Sequence, residues 1–279
     1  MTAGAGRPGD PTIAIAFGGG GARGLAHIHV IEALDELGIR PVAIAGSSIG
    51  AIMGAGVAAG MTGQDIEHHA RSILSRRAEV FGRMWSARPI SGLRVAQFSI
   101  ERVLHAFLPH HIPKDFSELA IPLQVTGTDY FGHHVKVFSE GDLHSALAAS
   151  AAIPAVFAPV TLDGRTYIDG GIYNPVPFDL LRGKADIVIA VDVVGAPQEA
   201  DGRKPTSIDL MFGATQLMMQ SIIAHKMEQC PPDILLRPPV SKYRVLDFLK
   251  IDALMAETAS IKDELKRSVE AAVKAKAAA

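Results

Sequence analysis

The chain has 279 residues, 48% of them hydrophobic and 20% charged, which is too apolar for intrinsic disorder and enough to bury a substantial core. Its 27 Lys and Arg nearly balance its 29 Asp and Glu, and the formal charge of −2 provides no field that would attract nucleic acid, so no nucleic-acid partner is expected. Cys230 is the only cysteine, which excludes an internal disulfide and a thiolate metal cluster and suits a cytoplasmic location.

The N-terminal part of the sequence predicts strands that alternate with helices. Residues 1–10 lack the apolar stretch of a signal peptide and are expected to form a flexible leader. Residues 12–17 predict a strand that stops at four glycines. Apolar residues then recur at helical spacing, at Leu25, Ile28, Ile31, Leu34 and Leu37. A strand over 42–45 and a helix over 49–59 follow, and the loops after the two parallel strands should share one crevice.

An arginine-rich stretch interrupts this alternation. Residues 71–102 contain seven arginines interleaved with aromatic residues, and they indicate a cap-like insertion near 71–120. Arginines can bind lipid phosphates and aromatic side chains can contact acyl chains, which favours peripheral membrane contact for the cluster as a group. A solvated helical face is the alternative interpretation.

Regular elements resume after the insertion. Strands are predicted near 122–128 and 135–139, a helix near 142–150, a hairpin that turns at Asp163-Gly164, and a buried strand over 187–194. These elements complete the predicted core.

The C-terminal segment, residues 195–279, begins with a predicted exposed loop. It continues with a Met-rich helix over 210–227, a short strand over 234–236 and a final helix from about Asp252. We expect this segment to pack on the core of residues 11–194, with dimerisation as the alternative role.

The run from Gly46 to Gly50, Gly-Ser-Ser-Ile-Gly, lies between a predicted strand and a predicted helix, which is the context of a GxSxG nucleophile elbow. In such a turn a strained backbone projects the serine hydroxyl into the crevice, and the flanking glycines avoid clashes. The helix that follows adds unpaired N–H groups and a positive dipole end. Ser48 is therefore the candidate nucleophile. A turn that only links strand to helix is the alternative.

Residues 18–24, Gly-Gly-Gly-Gly-Ala-Arg-Gly, predict a concave nest of backbone N–H groups, which binds anions such as an oxyanion. A nucleotide-binding module is the competing interpretation, since Gly19, Gly21 and Gly24 satisfy the GxGxxG pattern after a strand. The carboxylate that a dinucleotide site requires at the end of the second strand is missing, which disfavours this alternative. Arg23 could stabilise the loop, steer a substrate anion or form a surface salt bridge.

Asp169, followed by Gly170 and Gly171, is the candidate base for the serine. A free aspartate has a pKa of about 3.9 and is a poor base, so one in this role must be partly desolvated and held against the hydroxyl. A solvated Asp-Gly turn is the alternative. Of the 11 histidines only His225 follows Asp169, inside a predicted helix, so the order of a Ser-Asp-His triad is not favoured.

These three motifs, at residues 19–24, 46–50 and 169–171, resemble in order and context those of the patatin-like phospholipases, above all the small bacterial members. The likeness extends to residues 149–154 and 174–177 and covers roughly residues 13–193. Three motifs at compatible spacing are far more specific than any one of them.

The resemblance implies a three-layer α/β/α sandwich around a mixed, mostly parallel sheet, and a serine acyl hydrolase with a Ser-Asp dyad. Ser48 would attack an ester of a phospholipid or lysophospholipid, and Asp169 would accept its proton. The oxyanion hole would be formed by the N–H groups of Gly19, Gly20 and Gly21, and the supporting residues would be Arg23, Gly46, Gly50 and Gly170. No cofactor and no metal are implied, and the expected partners are the lipid, a membrane surface and further copies in a homo-oligomer. A non-hydrolytic regulator of the same family is the alternative.

Overall fold

The described part of the chain, residues 10–86, 99–199 and 204–278 of a computed structural model, contains one mixed sheet of eight strands. The strands are β1 (Ile13–Phe17), β2 (Ala43–Ser47), β3 (Leu123–Asp129), β4 (His134–Phe138), β5 (Val160–Leu162), β6 (Arg165–Asp169), β7 (Ile187–Val191) and β8 (Ile234–Leu236). Their order in space is β5-β6-β3-β2-β1-β7-β8, and β4 also pairs with β3. Strands β3, β2, β1, β7 and β8 run parallel, whereas β4, β5 and β6 pair antiparallel. The predicted mixed, mostly parallel sheet is confirmed.

Helices cover both faces of the sheet. They are α1 (His27–Glu36), α2 (Ile49–Ala58), α3 (Gly63–Ser86), α4 (Ile100–Phe107), α5 (Leu143–Ser150), α6 (Ser207–Gln229), α7 (Ile251–Thr258) and α8 (Ile261–Ala277). Helix α3 starts at a reciprocal cap, in which the Asp65 N–H donates to Thr62 Oγ1 at 3.1 Å and the Thr62 N–H donates to the Asp65 carboxylate at 2.9 Å.

The two faces of the sheet bury side chains of different size. On β1 the residues Ile13, Ile15 and Phe17 belong to the larger core, which also contains residues of α1, α2, α3, α5, α7 and α8. The alternate residues Ala14 and Ala16 belong to a second core that includes Val176, Phe178 and Ile223 of α6. Successive side chains of a strand point to opposite faces, so the large residues of β1 face one helical layer and its alanines face the other. The small alanine side chains let the layer on their side pack closely on the sheet.

One predicted element is divided in the structure. The final helix expected from about Asp252 is two helices, α7 and α8, with a break at Ala259 and Ser260. The break has a packing reason, because α7 packs on the short 3-10 helix Gly21–Ala26 while α8 packs on α1. A single straight helix could not follow both packing directions, so the chain breaks between α7 and α8.

Several predictions concern parts of the chain outside the described residues. These are the leader over residues 1–9, residues 87–98 of the predicted cap, and residues 200–203 of the exposed loop. Arg71 is the one arginine of the cluster whose side chain is described, and it binds Glu67 and Asp252. Across the described residues, we find no helix with the length and apolar character needed to cross a membrane.

Candidate active site

The pairing of β3 brings two distant parts of the chain together. On one side β3 pairs with β2 as far as Thr126, which lies opposite Ser47. Its next residue, Gly127, pairs with Asp169 of β6. Since β4 occupies the other side of β3 over the same residues, β6 must continue the position of β2 beyond the end of that strand. Ser48 follows Ser47 directly, so the register places it beside Asp169 although 121 positions separate them in the chain.

Ser48 lies in the tight turn between β2 and α2 that the sequence predicts. Its backbone has φ of 53° and ψ of −125°, a strained conformation for a residue with a side chain. The flanking glycines are required by close packing, because a Cβ on Gly50 would lie 2.2 Å from the carbonyl oxygen of Phe17, and one on Gly46 would lie 2.5 Å from the Cα of Ala51. The turn therefore holds the Ser48 side chain at the N-terminus of α2, where the helix dipole favours negative charge.

Asp169 is buried and hydrogen-bonded through both carboxylate oxygens. The Ser48 hydroxyl donates to Oδ2 at 2.6 Å, and the N–H of Gly171 donates to Oδ1 at 2.8 Å. Burial raises the pKa of Asp169 from 3.8 to about 6, although the two hydrogen bonds lower it in part. Gly170 opens the short 3-10 helix Gly170–Ile172 that supplies the Gly171 amide. The solvated Asp-Gly turn considered from the sequence is therefore wrong, because Asp169 is only 7% exposed.

The glycine loop lies against Ser48, but its amides are not equivalent. The N–H of Gly19 donates to the carbonyl oxygen of Pro175 at 2.9 Å. This corrects the expectation that Gly19 belongs to an oxyanion hole, since an amide already bonded to a carbonyl is not available to a second acceptor. Within the part of the chain that the structure describes, no acceptor is found for the amides of Gly20 and Gly21, and both residues line a pocket together with Ser48 and Asp169.

Arg23 braces the glycine loop from inside the protein. It is only 3% exposed, and its guanidinium donates from Nε to the carbonyl oxygen of Gly20 at 3.2 Å and from Nη1 to that of Val194. Burial lowers the pKa of Arg23 to about 10, and the negative charges of Asp192 and Asp247 partly oppose this shift. The surface salt bridge considered from the sequence is therefore wrong, because the bonds to two carbonyls hold Arg23 inside the fold.

The pocket beside Ser48 has mostly apolar walls. Residues from the loops on its sides include Ile153, Pro154, Ile172, Val194 and Val245. Helix α6 covers it with Met211, Phe212, Thr215, Gln216 and Met219. Thr215 and Gln216 add polar groups to the wall, but most of the lining is apolar, so the pocket can accept an apolar chain next to a hydroxyl and a carboxylate.

His27 fixes the start of the glycine loop and is held uncharged. It is fully buried, and its Nε2 lies 2.8 Å from the carbonyl oxygen of Gly18, which can only accept, so Nε2 carries the proton. The other ring nitrogen, Nδ1, has no partner among the described residues. Because burial disfavours the imidazolium, the pKa of His27 falls from 6.5 to about 4.

We expect the contribution of His27 to the free energy of unfolding to fall as the pH drops from about 6.5 towards 4, since the unfolded chain binds a proton at His27 that the folded chain does not. The contribution of this residue is up to about 3 kcal/mol. In a His27→Gln variant, whose amide can still donate to Gly18, that contribution should be absent. Urea unfolding at several pH values measures the difference. Identical pH dependence in the variant and the wild type would show that His27 titrates normally.

Two structural contacts of the site were not predicted from the sequence, although Ser150 lies in the segment 149–154 to which the family likeness extends. The hydroxyl of Ser150, the last residue of α5, accepts the backbone N–H of Ser48 at 2.8 Å. Lys226 of α6 donates to Asn174, to the carbonyl oxygen of Val176 at 2.9 Å and to Asp179. Ser150 thus fixes the serine turn, and Lys226 ties α6 to the segment that follows Asp169. Their contacts in the structure identify them, with Ser150 fully buried and Lys226 partly buried.

The chain is similar in sequence to known proteins over most of this site. A family model described as patatin-like phospholipase matches residues 15–182. An uncharacterized NTE family protein of Mycobacterium tuberculosis is 39% identical over 188 residues, which are 67% of this chain and 50% of the relative. Patatin-like phospholipase domain-containing protein 6 of Homo sapiens is 32% identical over 197 residues, which cover 68% of this chain and 14% of that protein. The chain thus spans about half the length of the first relative and much less of the second.

Among solved structures, human GIVD cytosolic phospholipase A2 aligns with 95% of this chain and 60% of its own, at 13% sequence identity and a TM-score of 0.45.

Proposed function

The chain belongs to the patatin-like phospholipase family, a family of lipid hydrolases, and on that premise we propose that it is a serine acyl hydrolase that cleaves carboxylic ester bonds of phospholipids or lysophospholipids. The observation that carries the proposal is the 2.6 Å hydrogen bond from the Ser48 hydroxyl to the buried carboxylate of Asp169. A serine becomes a nucleophile when an adjacent base can take its proton, and this contact supplies that base.

In the first half of the proposed reaction, Ser48 Oγ attacks the ester carbonyl carbon while its proton moves to Asp169 Oδ2. The carbonyl oxygen becomes an oxyanion, to which the N–H groups of Gly20 and Gly21 donate. The bond to the alcohol then breaks, and the proton on Asp169 passes to the leaving oxygen. The products of this half are a free alcohol or lysolipid and an acyl group on Ser48.

In the second half, water attacks the acyl carbon and gives its proton to Asp169. The oxyanion forms again at the same amides, the bond to Ser48 Oγ breaks, and the proton returns from Asp169 to the serine. A fatty acid leaves and the enzyme is restored. A carboxylate whose pKa is about 6 suits both steps, since it is ionised at neutral pH and still basic enough to accept a proton.

The surroundings of the serine support a dyad without histidine. No histidine lines the pocket in the described ranges of the chain. His27 is bonded to Gly18, and His225 is 70% exposed on α6, where it contacts Gln229. The base that lies within reach of Ser48 is therefore a carboxylate, which distinguishes this arrangement from a Ser-His-Asp triad.

The pH dependence of turnover tests the proposal. We expect the purified protein to release fatty acid from a lysophospholipid and nitrophenol from a p-nitrophenyl ester, with kcat/KM rising as the pH increases through about 6. Below that pH Asp169 is protonated and cannot accept the proton of Ser48, whereas above it the carboxylate is free to do so. Initial rates across the pH range measure the rising limb.

Three results would contradict the proposal. Absence of turnover with both substrates would favour a non-hydrolytic member of the family. Turnover that is flat across pH 6 would show that a group other than Asp169 accepts the proton. A rise in melting temperature with NAD or ATP, without ester turnover, would instead favour the nucleotide-binding module.

A further inference from the structure

The amino group of Lys226 on α6 is the centre of a partly buried cluster of polar groups. Its side chain is only 15% exposed. The three N–H groups of the ammonium are matched by three acceptors, which are the side-chain oxygen of Asn174, the carbonyl oxygen of Val176 at 2.9 Å and the carboxylate of Asp179. The ring of Phe178 lies 4.6 Å from the same nitrogen. All four contacts belong to the loop that precedes β7, so α6 holds this loop through one cation.

The part of this loop that lies beside the candidate active site is residues 174–177, here called the connecting segment. The backbone N–H of Asn174 donates to the carbonyl oxygen of Gly170 at 2.9 Å, so the segment begins beside the candidate base. One residue later, the carbonyl oxygen of Pro175 accepts the N–H of Gly19 at 2.9 Å. The connecting segment therefore joins the loop of the base to the glycine loop.

The contact with Pro175 influences how the glycine loop presents its amides. It directs the N–H of Gly19 towards the connecting segment, and the next two residues, Gly20 and Gly21, line the pocket beside the serine. Peptide planes are rigid, so the direction of one amide restricts those that follow it. Arg23 donates to the carbonyl oxygen of Gly20 at 3.2 Å and holds the loop from its other end. A shift of Pro175 would therefore redirect the proposed oxyanion donors.

Lys226 holds the connecting segment from outside its own loop. Asn174 also donates to Asp179 at 3.0 Å, but these two residues belong to the same loop. Among the described residues, Lys226 is the only residue of another element whose side chain bonds to the segment. Without the lysine, the carbonyl of Val176 loses this donor, and the segment must move to find another partner.

We propose that Lys226 is a positioning residue for ester hydrolysis. It holds the connecting segment against the glycine loop and thereby keeps the N–H groups of Gly20 and Gly21 aimed at the oxyanion. The inference rests on the proposed function, since it assigns Lys226 a role in that reaction. Lys226 is not among the described residues that line the pocket, so it acts through the segment and not on the substrate.

The position of α6 itself does not depend on this lysine alone. The side-chain amide of Gln216 donates to the carbonyl oxygen of Val194 at 3.0 Å, and that of Gln220 donates to the carbonyl oxygen of Gly195 at 3.2 Å. These two bonds tie the middle of α6 to the loop after β7. The side chains of α6 that line the pocket should therefore stay in place when Lys226 is changed, and substrate binding should be affected much less than the oxyanion donors.

Lys226→Met tests the proposal, because methionine retains most of the apolar stem and has no N–H to donate. With a soluble p-nitrophenyl ester we expect kcat to fall about 10- to 100-fold, since the oxyanion donors are misplaced, while KM stays within about twofold. The matched control is Lys262→Met, which removes a lysine that pairs with Glu32 at 3.2 Å and with Glu36 at 2.6 Å between α8 and α1. That variant should lose stability and retain kcat.

A double variant separates positioning from stability. Lys226→Met leaves the carboxylate of Asp179 without its cation, which destabilises the fold by itself. Lys226→Met/Asp179→Asn removes that charge but does not restore the donor to Val176. We expect the melting temperature of the double variant to recover towards the wild-type value, while its kcat stays as low as in Lys226→Met.

Hydrogen exchange provides a readout that does not depend on catalysis. The amide of Gly19 is protected by its bond to Pro175. We expect this amide to exchange at least about tenfold faster in Lys226→Met than in the wild type or in Lys262→Met. NMR follows the exchange at a temperature well below the melting temperature of each protein.

Three results would overturn the role of Lys226. The first is a kcat of Lys226→Met equal to that of Lys262→Met, and the second is a kcat that recovers together with the melting temperature in the double variant. The third is unchanged exchange at Gly19. If the wild type hydrolyses no ester but the exchange at Gly19 responds as expected, the proposed function fails, while the positioning of the glycine loop by Lys226 stands.

Discussion

A Ser48→Ala variant is expected to lose ester hydrolysis almost completely, with kcat lowered about 10³-fold or more. The reason is covalent, since no acyl-enzyme forms without the Ser48 hydroxyl. Asp169 would still be able to activate water, which sets the residual rate. The measurement is the initial rate on a p-nitrophenyl ester and on a lysophospholipid, together with labelling by a fluorophosphonate probe followed by peptide mass spectrometry.

The neighbouring serine provides a matched control. Ser47 is fully buried at the end of β2, and its hydroxyl has no hydrogen-bond partner among the residues described. Replacing Ser47 with alanine removes a buried, unpaired hydroxyl and changes the size of the side chain only slightly. The fold should therefore stay intact, and the free energy of unfolding should rise by up to about 1 kcal/mol. Ser47→Ala should retain turnover and probe labelling, while Ser48→Ala should lose both.

Two outcomes would refute the assignment of Ser48. A Ser48→Ala enzyme that hydrolyses both substrates at the wild-type rate would remove the nucleophile from the mechanism. Probe labelling at Ser47, with loss of turnover in Ser47→Ala, would move the nucleophile by one residue. Because both substitutions are small and lie in the same turn, a difference between them reports chemistry rather than folding.

The sequence predicts the strands and helices around the serine well because their signals are local. The apolar run that becomes β1, the glycines that stop it and the elbow after β2 all have short-range physical causes. The serine itself is identifiable because Gly46 and Gly50 flank it, and the tight turn between β2 and α2 leaves no room for a Cβ at either position. These features require no knowledge of distant residues.

The pairing that completes the site could not be predicted in this way. Asp169 reaches Ser48 because β3 exchanges β2 for β6 between Thr126 and Gly127, and no local pattern records where one partner strand ends and another begins. The same limit explains the error at Gly19. A glycine-rich run predicts a nest of amides, but the carbonyl of Pro175, 156 positions later, decides that the Gly19 amide is already bonded.

The burial of His27 and the burial of Asp169 have opposite effects on the free energy of unfolding as the pH changes. His27 has a lowered pKa and Asp169 a raised one, each because burial disfavours its charged form. Folding therefore excludes a proton from His27 and retains one on Asp169 over overlapping ranges of acid pH. The pH dependence of wild-type stability alone would hide both effects, and single variants are needed to separate them.

An Asp169→Asn variant is expected to lose activity and gain stability at neutral pH. The amide is nearly isosteric, and its oxygen can still accept the N–H of Gly171 while its NH₂ donates to Ser48 Oγ. It cannot accept the serine proton, so kcat should fall about 10³-fold or more, and the rising limb near pH 6 should disappear. Initial rates as a function of pH measure both changes.

The stability change has a definite sign and pH window. Since the pKa of Asp169 is raised from 3.8 to about 6, the folded chain holds a proton in that interval that the unfolded chain has released. The contribution of Asp169 to wild-type stability therefore falls as the pH rises from 3.8 to 6, and the loss of up to about 3 kcal/mol persists above pH 6. The Asn variant has no such loss, whereas His27 contributes equally to both proteins and cancels. Urea unfolding should thus show the variant gaining on the wild type between pH 4 and pH 8. A variant that is inactive but also less stable above pH 6 would mean that Asp169 is a structural ion and not a strained base.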